Sequence, residues 1–90
     1  MGRAKMDIKA GAARALHAQL EALREEEAMS KDEWCDRLGI ARSTYRRMAE
    51  DGPPALGTLD RVARSTAWTR KALVAFLRDP DAFPLAGGVG

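Results

Sequence analysis

Four arginines fall between positions 37 and 47, at Arg37, Arg42, Arg46 and Arg47, with no acid among them. Arg42 and Arg46 stand four apart and Arg47 adjoins Arg46, so on a helix the three can enter one groove together. Guanidinium forks presented this way suit planar acceptors, either phosphate oxygens or the O6 and N7 edge of guanine in a major groove. A second acid-free run carries five basic residues from Arg61 to Arg78, while acids gather between Glu21 and Asp36 and at Glu50–Asp51. Clustered cations favour a polyanionic partner through counterion release, although a solvated basic face has the same appearance in a sequence. The overall net charge of +2 does not decide between them.

Other chemistry is poorly supplied. Cys35 is the single cysteine and His17 the single histidine, so neither an internal disulfide nor a metal site is expected. Cys35 reads as a small core thiol rather than a redox sensor, and His17, beside an apolar stripe, as a solvated helix residue rather than a ligand or base. No carboxylate pair, nucleophile–base set or phosphate-binding glycine loop appears, so neither catalysis nor a cofactor is expected. No apolar run approaches the ~20 residues that span a bilayer. The opening Met-Gly-Arg-Ala-Lys-Met-Asp leads into no hydrophobic stretch of a signal peptide. The expectation is a cytoplasmic chain with no membrane partner, and its 90 residues suffice for one domain.

The elements that must position the arginines are legible from periodicity and punctuation. Ile8, Ala12, Leu16, Leu20 and Leu23 follow helical spacing, with the firm helix over 12–27. Ser30-x-x-Glu33 is a capping box, and Met29 and Trp34 occupy the two hydrophobic-staple positions around it, so a helix starts at Lys31. Gly39 ends that helix after Leu38 and supplies a tight turn into another over 42–50, a helix-turn-helix corner. Asp51-Gly52-Pro53-Pro54 breaks the chain. Leu56, Leu59, Val62 and Ala63 mark a fourth helix over 56–65. Thr69 caps a fifth over 70–78, with Trp68 and Leu73 as a second staple and Asp79-Pro80 as its stop. Trp34, Leu38, Ile40, Leu59, Val62 and Leu20 are expected to form the core beneath the corner. Residues 1–11 read as an N-terminal extension, 12–78 as the domain and 79–90 as a flexible tail.

From Leu20 to Leu73 the chain resembles the lambda-repressor-like helix-turn-helix family, the Cro and xenobiotic-response-element regulators. Leu23-Arg24-Glu25-Glu26 is similar to the end of that family's first helix. Met29-Ser30-Lys31-Asp32-Glu33-Trp34-Cys35 resembles the start of its second, normally Leu-Ser-Gln-Glu-Glu-Leu-Ala. Leu38-Gly39-Ile40 with Arg42-Ser43-Thr44-Tyr45 resembles its turn and recognition helix, and Leu59 to Ala63 its fourth. Three positions depart from the pattern. Lys31 replaces a glutamine that touches phosphate, Ala41 replaces a capping serine at a cost of about 1 kcal/mol, and Ala49 replaces a glutamate that pairs with the helix 1 arginine. Glu50 or Asp51 is then the expected partner of Arg24.

The resemblance implies an all-α, five-helix DNA-binding domain, a bacterial or phage transcriptional regulator acting as a repressor. It implies base contacts from Arg42, Ser43, Arg46 and Arg47 and phosphate contacts from Lys31, Thr44 and Thr58, the last in the first turn of helix 4. With no asparagine, and glutamine only at Gln19, this recognition helix lacks the amide that chelates adenine, so the double-stranded site should lean on guanines. A twofold dimer on a palindromic operator is expected, with Leu73, Phe76 and Leu77 in the dimer contact. The alternative is a protein-interaction module, such as an antitoxin or an antagonist of another regulator, presenting helices 1 and 5. RNA binding would want exposed aromatic platforms, which Trp34 and Trp68, as staple and core residues, do not offer.

Overall fold

Each expected helix forms, with bounds set by local chemistry. In a computed structural model that describes residues 7–85, the elements are α1 (Ala12–Glu26), α2 (Lys31–Leu38), α3 (Arg42–Ala49), α4 (Leu56–Ser65) and α5 (Arg70–Arg78), and the described residues hold no strand. At the start of α2, Ser30 Oγ accepts from the Glu33 N–H at 3.1 Å and Glu33 Oε1 from the Ser30 N–H at 2.9 Å, closing the capping box. Thr69 Oγ1 caps α5 by accepting from the Ala72 N–H at 3.0 Å. No helix among the described residues is long and apolar enough to cross a membrane.

Three helices end in the same way. Past α2 the N–H groups of Gly39 and Ile40 reach back to the carbonyls of Asp36 and Cys35. Past α3 those of Asp51 and Gly52 reach Met48 and Arg47, and past α1 those of Ala28 and Met29 reach Glu25 and Arg24. This paired return is the Schellman arrangement, and it needs a left-handed residue. Gly39 supplies it freely at φ 75°, but Ala28 and Asp51 adopt it at φ 56° and 69° with side chains attached. Ala28 is exposed and makes no side-chain interaction there that a glycine would lose. Ala28→Gly is therefore expected to stabilise the fold by about 0.5–1 kcal/mol, since a left-handed alanine carries a steric cost that glycine avoids. Urea unfolding of the two chains would show the gain as a higher midpoint, and a loss of stability would contradict the strained turn.

The core draws on every helix. Leu16 and Leu20 from α1, Trp34 and Leu38 from α2, Tyr45 and Met48 from α3, Leu59 and Val62 from α4, and Leu73, Phe76 and Leu77 from α5 form one buried cluster with Ile40 and Trp68. All six residues expected beneath the corner belong to it. α1 runs through the middle, packing on α3 along one side and α5 on another, while α2 bridges α3 and α4. Ser65 ties the far end of α4 to α2 by donating to the Arg37 carbonyl at 3.0 Å.

Two expectations need correcting at the edges. Leu73, Phe76 and Leu77 are at most 4% exposed within the single chain, so their side chains are not available to a second copy. The face of α5 formed by Leu73, Phe76 and Leu77 is taken up by the chain's own core. The described parts of the extension and tail also pack. Ile8 and Leu85 lie against the core, the Lys9 N–H donates to the Leu77 carbonyl at 2.8 Å, and the Phe83 N–H to that of Asp79 at 2.9 Å. Residues 1–6 and 86–90 of those two segments lie outside the described residues.

Candidate nucleic-acid interface

α3 is anchored by the inward side chains of Tyr45 and Met48 and shows its other side to solvent. Arg42, Ser43, Arg46 and Arg47 are all exposed on it, and Lys31 is exposed at the first position of α2. Among the described residues Arg46 and Arg47 form no ion pair, so their charge is uncompensated at short range. Arg42 is different. Its Nη1 donates to Asp32 Oδ1 in the first turn of α2. A guanidinium has five donors, so this pair leaves another edge of Arg42 free while restricting its swing.

Two clefts flank α3. On one side His17, Lys31, Arg42, Tyr45, Arg46 and Ala49 enclose about 120 Å³. On the other, Thr44, Arg47 and Thr58 meet across the Gly52–Ala55 loop around about 160 Å³. The loop is close here. A Cβ on Gly52 would come within 2.7 Å of Arg47 Cγ and 2.9 Å of the Arg47 carbonyl oxygen, so glycine is required for the chain to double back under that arginine. The N-caps of α3 and α4 are Ala41 and Ala55, neither of which offers a side-chain acceptor. Both helices therefore start with N–H groups that no side chain satisfies, which suits an anion at either end.

Thr58 is 8% exposed and lines the cleft with Thr44 and Arg47. Thr44 is half-buried at the cleft edge.

The support behind α3 also differs from what the sequence suggested. Arg24 does not pair with Glu50 or Asp51. Its guanidinium reaches Glu21 one turn back, at 2.9 Å from Nη2 to Oε1, and Nη1 donates to the Met29 carbonyl at 2.8 Å. The Tyr45 hydroxyl donates to Glu21 Oε2. Burial alone would push the Glu21 carboxyl up, but the hydrogen bonds from Arg24 and Tyr45 outweigh it and hold the group below the ordinary range. Burial, followed by the bond to Glu21, raises Tyr45 far above its ordinary value, so it remains a neutral donor. Glu21 thus takes over the role sought at position 49, and it pins α3 to α1 from the α1 side.

Asp51 serves the other end of α1. Its Oδ2 accepts from the Gly11 N–H at 2.7 Å and its Oδ1 from the Arg14 N–H at 3.1 Å, which caps a helix whose own N-cap, Gly11, has no side chain. The Gly11 bond, then the Arg14 bond, lower the Asp51 carboxyl. His17 is likewise not a freely solvated residue: it is half-buried, with its ring tilted 54° against Tyr45 at a centroid distance of 4.6 Å. Cys35 is buried in the core, and burial pushes its thiol up, away from the reactive thiolate. Glu21 and Arg24, three apart, were visible as an i,i+3 pair; the cap at Asp51 had no local signal. Compared with protein-family models, curated proteins and solved structures, the chain matches none.

Proposed function

We propose that the protein is a sequence-specific double-stranded DNA-binding regulator, a repressor of the lambda-repressor-like type, that lays α3 in the major groove. The carrying observation is the division of α3 itself. Tyr45 and Met48 are committed to the core, while Arg42, Ser43, Arg46 and Arg47 face solvent together. A helix held this firmly, with forked donors outward, is what direct readout of guanine needs. Lys31 and the uncapped starts of α3 and α4 surround it and suit backbone phosphates. Pairing with Asp32 steadies Arg42 for a planar target.

A palindromic operator would call for a second copy, and α5 cannot provide the contact through Leu73, Phe76 and Leu77. Beside that face the half-buried Val74 and Ala75 line a shallow groove with Phe83, which is 54% exposed. That patch is one apolar surface a dimer could use, and Leu56, 47% exposed at the start of α4, is another. The same exposed phenylalanine is the feature that favours the second reading, a protein-interaction module whose partner covers it.

Selection of bound duplexes from random sequence, followed by titration across a salt series, tests the first reading. Lys31→Ala is expected to weaken the selected and a scrambled duplex equally and to reduce the slope of log K against log salt by about 1, the signature of one lost phosphate contact. No enrichment of any sequence, with binding of a protein partner through Phe83, would move the assignment to the second reading.

A further inference from the structure

The cleft between α1 and α3 holds a residue that base readout does not require. His17 comes from α1, yet it shares the cleft with Lys31 at the start of α2 and with Arg42 and Arg46 on α3. Its ring is not loose, because Tyr45 lies against it. The charged groups around it are unevenly engaged. On its own helix Glu21 and Arg24 bind each other, and Glu21 also takes the Tyr45 hydroxyl. On α2 Lys31 has no ion pair among the described residues, and on α3 neither has Arg46, while Arg42 is paired with the outward Asp32. Three cationic side chains and a half-buried imidazole therefore line one small cleft, and no carboxylate lines it.

We propose that this cleft seats a backbone phosphate of duplex DNA, with His17 as a contact from α1 that is protonated when the phosphate enters. The proposal rests on the DNA-binding reading. In the free protein His17 is disfavoured as a cation first by burial and then by Lys31 and Arg24, with Glu21 opposing them, so it lies below its ordinary 6.5. A phosphodiester brings a negative charge into the cleft, offsets the neighbouring cations and accepts a hydrogen bond from the imidazolium. The bound state then holds a proton that the free state lacks. Binding linked to proton uptake tightens as pH falls, in the window between the free value, below 6.5, and the higher bound value; one proton allows at most about tenfold per pH unit. A phosphate lying beside α3 is favoured over an isolated anion because the cleft opens on the face that presents Arg42 and Arg46.

The full chain contains one histidine, so its imidazole resonances can be followed by NMR without ambiguity. Titration between pH 5.5 and 8 is performed alone, with a selected duplex, and with inorganic phosphate at matched ionic strength, alongside affinity measurements over the same range. Expected is a higher His17 midpoint with duplex and an affinity about three- to tenfold tighter at pH 6 than at pH 8. His17→Gln should lose most of that pH dependence, with binding weaker than the parent's at pH 6. His17→Lys, with a permanent charge, should be tight at both ends. A merely structural role for His17 would weaken binding at all pH values and give no rescue by lysine, and that outcome overturns the proposal. So does a midpoint moved by inorganic phosphate but not by duplex, which assigns the cleft to a free anion. Sequence-selective binding with no pH dependence overturns the histidine contact and leaves the DNA-binding reading standing; absence of DNA binding at every pH overturns both.

Discussion

Trp34→Ala is expected to destabilise the fold by about 3–5 kcal/mol, the cost of truncating a large aromatic in a packed core. Trp34 is 2% exposed and is the largest fully buried side chain. It sits one turn into α2, where the staple with Met29 fixes how the chain enters that helix, and it packs in the same cluster as Leu38, Leu20 and Leu59. Its removal therefore leaves a void shared by α1, α2 and α4 that no single helix can close. For a domain of this size the melting midpoint should fall by more than about 10 °C. Trp34→Phe is the informative companion. The buried indole N–H meets no acceptor at full hydrogen-bond geometry and has the Tyr45 hydroxyl as its near neighbour, so phenylalanine restores part of the volume and gives up at most a weak contact. It should cost much less than alanine. An unchanged midpoint for Trp34→Ala would place the side chain outside the core and overturn the packing of α2.

The helices and their order were legible because their signals are local. The capping box at Ser30 and Glu33, the left-handed Gly39 and the Gly52-Pro53-Pro54 break each act within a few residues of the boundary they set. The exposed arginines of α3 were legible for the same reason: the residues beside them, Tyr45 and Met48, are the ones that must face inward. What escaped depends on contacts between segments. Asp51 caps α1 across 40 positions of sequence, and nothing near Gly11 announces it. The apolar face of α5 is filled by α1 and α4, helices whose docking no residue within α5 encodes. Thr58 lies in the first turn of α4 as expected, but most of its surface is buried at the cleft it lines beside the 52–55 loop and α3, and first-turn position alone does not reveal that. Asp32, beside the capping box, gave no hint that it would reach across the corner to Arg42.

Loss of the α3 arginines should change specificity rather than stability. Arg42→Ala and Arg46→Ala leave the buried side of the helix untouched, and both side chains are solvent-facing. Their folded stability should stay within about 0.5 kcal/mol of the parent, as for most surface substitutions. Arg42 gives up an exposed pair with Asp32, and such pairs contribute little to stability. Against a cognate duplex each replacement should cost about 1–3 kcal/mol, because a bidentate contact to one guanine is lost while Lys31 and the helix starts still hold the phosphates. Binding to scrambled DNA should weaken far less. Among the described residues Arg46 forms no ion pair, so its loss also removes an uncompensated charge from the face, whereas losing Arg42 releases Asp32 and leaves a carboxylate near the phosphates.

The most direct measurement is the ratio of affinities for a selected and a scrambled duplex, taken at fixed salt for the parent, Arg42→Ala and Arg46→Ala. The account predicts that the ratio collapses by about tenfold or more in each variant, with relaxed preference at one guanine apiece. A ratio unchanged in both variants, with folding intact, would contradict it: α3 would then not read bases, and the exposed surface around Phe83 would become the place to look for a partner.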